Sequence, residues 1–265
     1  MRIGNMSLHP KRATSRVVRA FKDARDLPSK VATARCIWGW GQGKLGWLGQ
    51  GHEVTLRLQN LILSVDTARS ELISYWEIWH DATYDAVPGF RLPERGYVVD
   101  VGANIGAFSL YQALRKKAKL VIAFEPSPST FRRLTANLEL NSANNVRAVN
   151  AVVGSSCGTV PFLETPMSVN CRVAQNGEAG TVAVPSVTLD SALEAHKLNK
   201  IDLLKIDTEG YETEVLKGAT KTLQQTDRVI LEIHNESDKR DFDDLLLPLG
   251  FRFVARQADL LFYLR

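Results

Sequence analysis

No apolar run in this 265-residue chain approaches the ~20 residues of a bilayer span, so integral membrane contact is not expected. The basic N-terminus also lacks the apolar segment of a secretory signal, which points to a cytoplasmic protein. Cysteine is scarce. Cys36, Cys157 and Cys171 are scattered, with no C-x-x-C pair and no histidine at ligand spacing. That argues against a disulfide framework or a zinc site and leaves ordinary reduced thiols. A phosphate loop is missing as well: Gly43-Lys44 has Trp38 where the first glycine should stand, and no Ser or Thr follows Lys44. There is no internal repeat and no low-complexity tract. Disorder is not indicated either, because 45% of the residues are hydrophobic, enough to fill one large α/β domain or one domain with a small cap.

Acidic residues are sparse at one end. Residues 1–50 carry ten Lys and Arg against only Asp23 and Asp26, a balance of +8, which leaves −4 for the remainder of a chain of net charge +4. The basic character therefore belongs to an N-terminal arm, and the acidic body disfavours a nucleic-acid substrate. Residues 1–10 look frayed. Over residues 11–27, Val17, Val18, Phe21, Ala24 and Leu27 share one helical face. That pattern predicts a basic amphipathic helix, packed on its own domain in preference to an anionic membrane or an acidic partner. Residues 36–51 are so rich in Gly and Trp that loop and hairpin are expected there, with no helix. Trp38, Trp40 and Trp47 either wall an apolar pocket or cap the core edge. Two short strands (53–58 and 61–65), a helix (68–80) and a connection (84–94) complete a small mixed cap over residues 1–95.

The organising stretch is Tyr97-Val-Val-Asp-Val-Gly-Ala-Asn-Ile-Gly106. An apolar run reads as a buried strand ending near Asp100, Gly102 and Gly106 frame a tight turn, and residues 107–114 have helical apolar spacing. Glycines there let a ligand approach the backbone, and free N–H groups at a helix start face it. The turn is not the dinucleotide fingerprint, since Asn104 holds its middle position and the glycines stand four apart. The next strand, residues 120–124, ends in Glu125-Pro126, and a carboxylate at that place can accept both hydroxyls of a ribose. Asp100 suits an ammonium-bearing ligand better than a pyrophosphate. A ribose joined to an amino-acid tail describes S-adenosylmethionine.

Further on, residues 128–140 are helical and 146–153 form a third strand. Two β-like runs, 159–163 and 181–184, read as an inserted hairpin. A short helix begins near 187–193 with Asp190 as its cap. A fourth strand, 201–206, leads into Asp207-Thr-Glu209-Gly210, followed by a helix over 211–225. A fifth, 228–233, ends in His234-Asn235, and a helix over 239–247 stops at Pro248. Residues 251–256 and 259–264 form a hairpin whose last strand is antiparallel. The class is thus α/β: a mostly parallel sheet with helices on both faces and an antiparallel C-terminal hairpin, over 96–265.

Open sheets of this kind bind ligands at the carboxyl ends of their strands. Asp207, Glu209, Glu232, His234 and Asn235 lie at such ends, where a methyl acceptor can meet the cofactor. A hydroxyl acceptor must lose a proton, and His234 is the natural general base, with Asp207 or Glu209 orienting it. The same cluster offers donors to Mg²⁺ or Mn²⁺, a reading ranked second; no metal is assigned. Lys205, inside an apolar strand, needs a carboxylate partner, with Asp202 or Glu232 as candidates.

Val98 to Gly106, Phe124-Glu-Pro126, Val187-Thr-Leu-Asp190, Leu203 to Glu212, Val215 to Ala219 and Leu231-Glu-Ile-His234 resemble the FkbM-type S-adenosylmethionine-dependent methyltransferases. The resemblance runs from about residue 95 to the C-terminus. It implies a class I methyltransferase (Rossmann-like) sheet and O-methylation of a sugar, polyketide or other small metabolite. On that reading Asp100, Gly102, Asn104 and Gly106 hold the amino-acid end of the cofactor and Glu125-Pro126 its ribose. Asp207 serves both cofactor and chemistry, and Asp207, Glu209 and His234 flank the transferred methyl. Rivals are a protein or nucleic-acid methyltransferase, an NAD-dependent enzyme and a non-catalytic nucleotide-binding module. No Asp/Asn-Pro-Pro-aromatic block follows the fourth strand, as base-methylating enzymes require. The partner expected is a small-molecule acceptor; the oligomeric state is open.

Overall fold

The computed structural model describes residues 18–44, 51–69, 71–81, 83–85, 87–165, 167–174, 178–234 and 238–265. The chain divides into two compact units, Met1–Asp81 and Ala82–Arg265.

The larger unit is built on a seven-stranded sheet. Its spatial order is Arg252–Gln257, Leu260–Leu264, Arg228–Glu232, Leu203–Ile206, Tyr97–Val101, Leu120–Phe124 and Val146–Val149. The last five are mutually parallel, and Leu260–Leu264 runs antiparallel to both of its neighbours. Strands this apolar on both faces must be covered on both. Val99, Ile122, Ile206 and Leu231 share a core with Val215 and Leu216 of helix Glu212–Lys217 and with Phe242 and Leu246 of helix Asp238–Leu246. Strand order reverses between Tyr97–Val101 and Leu203–Ile206, the switch point at which open sheets of this kind bind ligands. A second sheet orders Val152–Val153, Thr181–Val187, Gly158–Leu163 and Arg172–Val173, with the expected inserted hairpin antiparallel at its centre. Among the described residues no helix is long and apolar enough to cross a membrane.

Several expectations need correction. Residues 36–44 are not loop: they continue a helix, Leu27–Lys44. Asp26 starts it by accepting the Ser29 N–H at 2.8 Å, and Pro28, lacking an N–H, fits the first turn. Its glycines cost helix propensity, but a Cβ at Gly39 would lie 2.1 Å from the Thr67 carbonyl oxygen, so glycine is what lets the helix lie against that backbone. The same cap ends the predicted 11–27 helix early: residues 18–23 are helical, and Leu27 is 73% exposed rather than on a packed face. The rest of that helix and the start of the chain lie outside the described residues, as do Trp47 and the side chain of Trp40. Trp38 is 70% exposed, so it caps no core edge.

Residues 146–153 are two strands, not one, divided between the two sheets. Helix Leu189–Glu194 is capped by Thr188, whose hydroxyl accepts the Ser191 N–H. Asp190 instead caps a different helix, Thr220–Gln224, accepting the N–H groups of Lys221 and Thr222 and the Thr222 hydroxyl. That cap is why the 211–225 segment is broken into two helices.

Candidate active site

Gly102 is where two strand ends meet. Its φ is +78°, and a Cβ there would sit 1.7 Å from the Asp207 carbonyl oxygen, so only glycine permits the first turn to touch the loop after the fourth strand. The turn is fastened to the second strand by the Gly102 and Ala103 N–H groups, both donating to the Phe124 carbonyl at 3.0 and 2.9 Å. Gly106, at φ +88°, opens helix Ala107–Leu110.

Asp100 lies beneath this turn, fully buried. It stands opposite Lys205 in the parallel register and is paired with the Lys205 ammonium at 3.1 Å, while Ser109 donates to its other oxygen at 2.6 Å. Lys205 reaches on to the Gly102 carbonyl at 2.9 Å and to Asp207 at 3.3 Å. Asp202 and Glu232, the partners expected for it, are thus replaced by Asp100 and Asp207. Burial works against the lysine charge, but Asp100 first and then Asp207 outweigh it and hold the ammonium well above its ordinary range. Asp100 and Lys205 together position both ligand-facing loops.

Glu125 ends the second strand, 6% exposed. Its two oxygens accept one backbone N–H each, from Asn104 and Ser127, both at 2.9 Å. Each oxygen keeps a lone-pair direction for a ribose hydroxyl, so the residue fits the sugar of S-adenosylmethionine. Burial lifts its pKa to about 7; the two N–H bonds and Lys205 pull down and Asp100 pushes up. Pro126 follows, its carbonyl and that of Glu125 accepting from the Asn150 amide.

Sequence reasoning missed Glu164, carried in from the inserted sheet. Its carboxylate accepts the hydroxyls of Ser127 and Ser129, and Ser127 is also the cap of helix Pro128–Leu140. The inserted sheet is therefore tied to the turn that holds Glu125. Glu164→Ala is expected to weaken S-adenosylhomocysteine binding about tenfold, the value of roughly one charge-assisted hydrogen bond, and Glu164→Gln to restore most of it. Calorimetric titration of both variants checks this; unchanged affinity in Glu164→Ala would refute it.

At the last two strand ends Asp207, Glu232 and His234 bring one ligand-type atom each within 4.8 Å of the others, a spacing compatible with a cation. Asp207 and Glu232 share a hydrogen bond. Burial and the Asp207 charge drive Glu232 well above the usual carboxylate range, whereas for Asp207 burial is outweighed by Lys205 and its pKa falls. Glu209 sits at φ +56°, a strained backbone for a non-glycine residue and a feature that clusters at functional sites. Burial and then Asp207 raise it to about 8.

The carboxylate nearest His234 is Glu212, to which the sequence reading gave no role. One oxygen of the buried Glu212 accepts the Thr208 N–H and hydroxyl and the Gly210 N–H, and lies 3.3 Å from His234 Nε2. Glu209 stands 3.9 Å from Nδ1. Burial pulls the His234 pKa down, but Glu212, then Glu209 and Asp207, lift it to about 9. Asn235 lies outside the described residues.

A profile of the methyltransferase FkbM domain matches residues 100–253. A hexuronic acid methyltransferase of Haloferax volcanii is 35% identical over 147 residues, 56% of this chain, and the match spans 59% of that relative's length. A methyltransferase of Sordaria araneosa is 32% identical over 70% of this chain and 83% of its own. The 31-O-demethyl-FK506 methyltransferase of Streptomyces tacrolimicus is 28% identical over 78% of this chain and 92% of its own. The crystal structure of an FkbM methyltransferase from Methylobacillus flagellatus shares the fold, with a TM-score of 0.53 at 15% identity over 96% of this chain and 59% of that one. This chain belongs to the FkbM family of S-adenosylmethionine-dependent methyltransferases.

Proposed function

We propose that the protein methylates a hydroxyl group on a sugar or a similarly oxygen-rich small metabolite. The observation that carries this reading is the His234–Glu212 pair, at the carboxyl end of a strand three places from the Glu125 strand in the same parallel sheet. Similarity to a hexuronic acid methyltransferase and to an O-demethyl-FK506 methyltransferase supports the acceptor class. Three free cysteines are in keeping with a cytoplasmic setting.

S-adenosylmethionine supplies an electrophilic methyl group on a sulfonium centre. Glu125 would hold the ribose, and the turn Gly102–Asn104–Gly106 would receive the amino-acid end, backed by Asp100 through Lys205. With Nε2–H turned to Glu212, the neutral imidazole presents Nδ1 as the basic atom. The acceptor hydroxyl would give its proton to Nδ1 as its oxygen bonds the methyl carbon and the carbon–sulfur bond breaks, releasing S-adenosylhomocysteine, and Glu209 beside that nitrogen would steady the imidazolium formed. Asp207, ionised, and Glu232, protonated, complete a polar wall for acceptor hydroxyls.

Calorimetric titration with S-adenosylhomocysteine, with NAD as control, tests the cofactor half. Binding is expected for the first and not for the second. Because the Glu125 pKa is raised to about 7 and the ionised form accepts the hydroxyls, affinity should hold above pH 7 and fall about tenfold for each unit below it. A flat profile from pH 8 to 5 would remove Glu125 from the ribose. Transfer of a labelled methyl group to uronic acids and other glycosides then tests the acceptor.

A further inference from the structure

Helix Leu27–Lys44 buries one face and exposes an apolar stripe on the opposite one. Ser29, Ala32, Thr33 and Cys36 are buried on one. On the other, Leu27 (73% exposed), Val31 (45%), Ala34 and Trp38 (70%) recur at i, i+4, i+7 and i+11. At 3.6 residues per turn they fall within an arc of about 60°. Exposed Lys30 and Arg35 border that arc on its two sides, and Arg19, Lys22 and Arg25, all exposed, lie just before the helix. The first fifty residues carry the +8 balance noted above, against −4 in the rest of the chain.

We infer that this face rests on an anionic lipid surface. An exposed stripe with an indole at one end and basic side chains along both edges is the pattern of an interfacial helix: the stripe enters the acyl boundary, the indole sits at headgroup level, and the cations meet lipid phosphates. Charge selects this occupant over a second copy of the chain. In a two-fold contact each helix would bring Lys30 and Arg35 against their own equivalents, with a net charge of the same sign on both sides. The stripe is also short, with three large side chains, where a stable protein interface needs about 800 Å² from each partner. Lipid attachment through such a stripe is reversible.

The experiment is cosedimentation of the full chain with phosphatidylcholine vesicles, with and without phosphatidylglycerol, at two salt concentrations. Binding is expected only with phosphatidylglycerol and should weaken as salt rises. Lys30→Gln/Arg35→Gln should lose about thirtyfold in affinity, and Leu27→Ser/Trp38→Ser at least about tenfold, while both variants bind S-adenosylhomocysteine as the parent does. No binding to either vesicle, equal binding to both, or undiminished binding by both variants would overturn the inference. So would a dimer at sedimentation equilibrium that Trp38→Ser dissociates, which would assign the face to a second copy.

Discussion

Lys205→Met should destabilise the protein by about 3–5 kcal/mol, the cost of leaving one member of a buried ion pair without its partner. Lys205 is 3% exposed and Asp100 is 0% exposed. The lysine is the cation that faces Asp100, at 3.1 Å, and it also ties the Gly102 carbonyl to Asp207. Methionine fills nearly the same volume, so packing is kept and the loss is one of charge. Urea unfolding monitored by far-UV circular dichroism measures it, with the m-value expected to hold. Asp100→Asn in the same chain should recover a large part of the loss, because the orphaned carboxylate is then gone while Ser109 keeps an acceptor. A cost below about 1 kcal/mol in the single variant would mean that water or a rearranged side chain replaces the ammonium, and the pair would not be what fixes the two loops.

The parts of this molecule that were legible in its sequence are those set by short-range pattern. Apolar runs of strand length alternating with helical spacing gave the parallel sheet, and helix Pro128–Leu140 was predicted to the residue. The position of Glu125, directly after the buried strand Leu120–Phe124, was legible for the same reason. The failures were of another kind. The helix at 36–44 was hidden by its three glycines, and the close contact that calls for one of them, Gly39, is with the Thr67 backbone 28 residues downstream, just after a strand. Asp190 looked like a local cap, yet its partners are Lys221 and Thr222, 31 and 32 residues away. Lys205 found its partner across the sheet, through a register that links residues 105 positions apart. Glu212 was unreadable for the same reason: its tie to His234 comes from a separate strand end. Sequence marks the residues a strand end displays; which of them touch is settled by sheet order.

The largest effect on turnover is expected at His234. His234→Gln should lower kcat by about 10²–10⁴, the usual worth of a positioned general base, with S-adenosylhomocysteine affinity little changed. The pH profile carries more information than the loss itself. A base must be neutral to accept a proton, and the His234 pKa is raised to about 9, so at pH 7 most of the protein holds an imidazolium. The rate should therefore climb from pH 7 to a plateau above about 9, with Glu209, raised to about 8, ionising along the same limb. Glu212→Gln isolates the cause. The Thr208 and Gly210 donors and His234 Nε2 all converge on a single carboxylate oxygen of Glu212, so a glutamine carbonyl can keep the loop while the charge is removed. Its limb should move down from about 9 toward the ordinary histidine range near 6.5, and its plateau should fall about tenfold or more as the imidazolium loses its partner. A limb unmoved by Glu212→Gln would show that the titrating base is not His234. Glu209 is then the group that rises on the same limb, and Glu209→Gln, which cannot ionise, would flatten the profile.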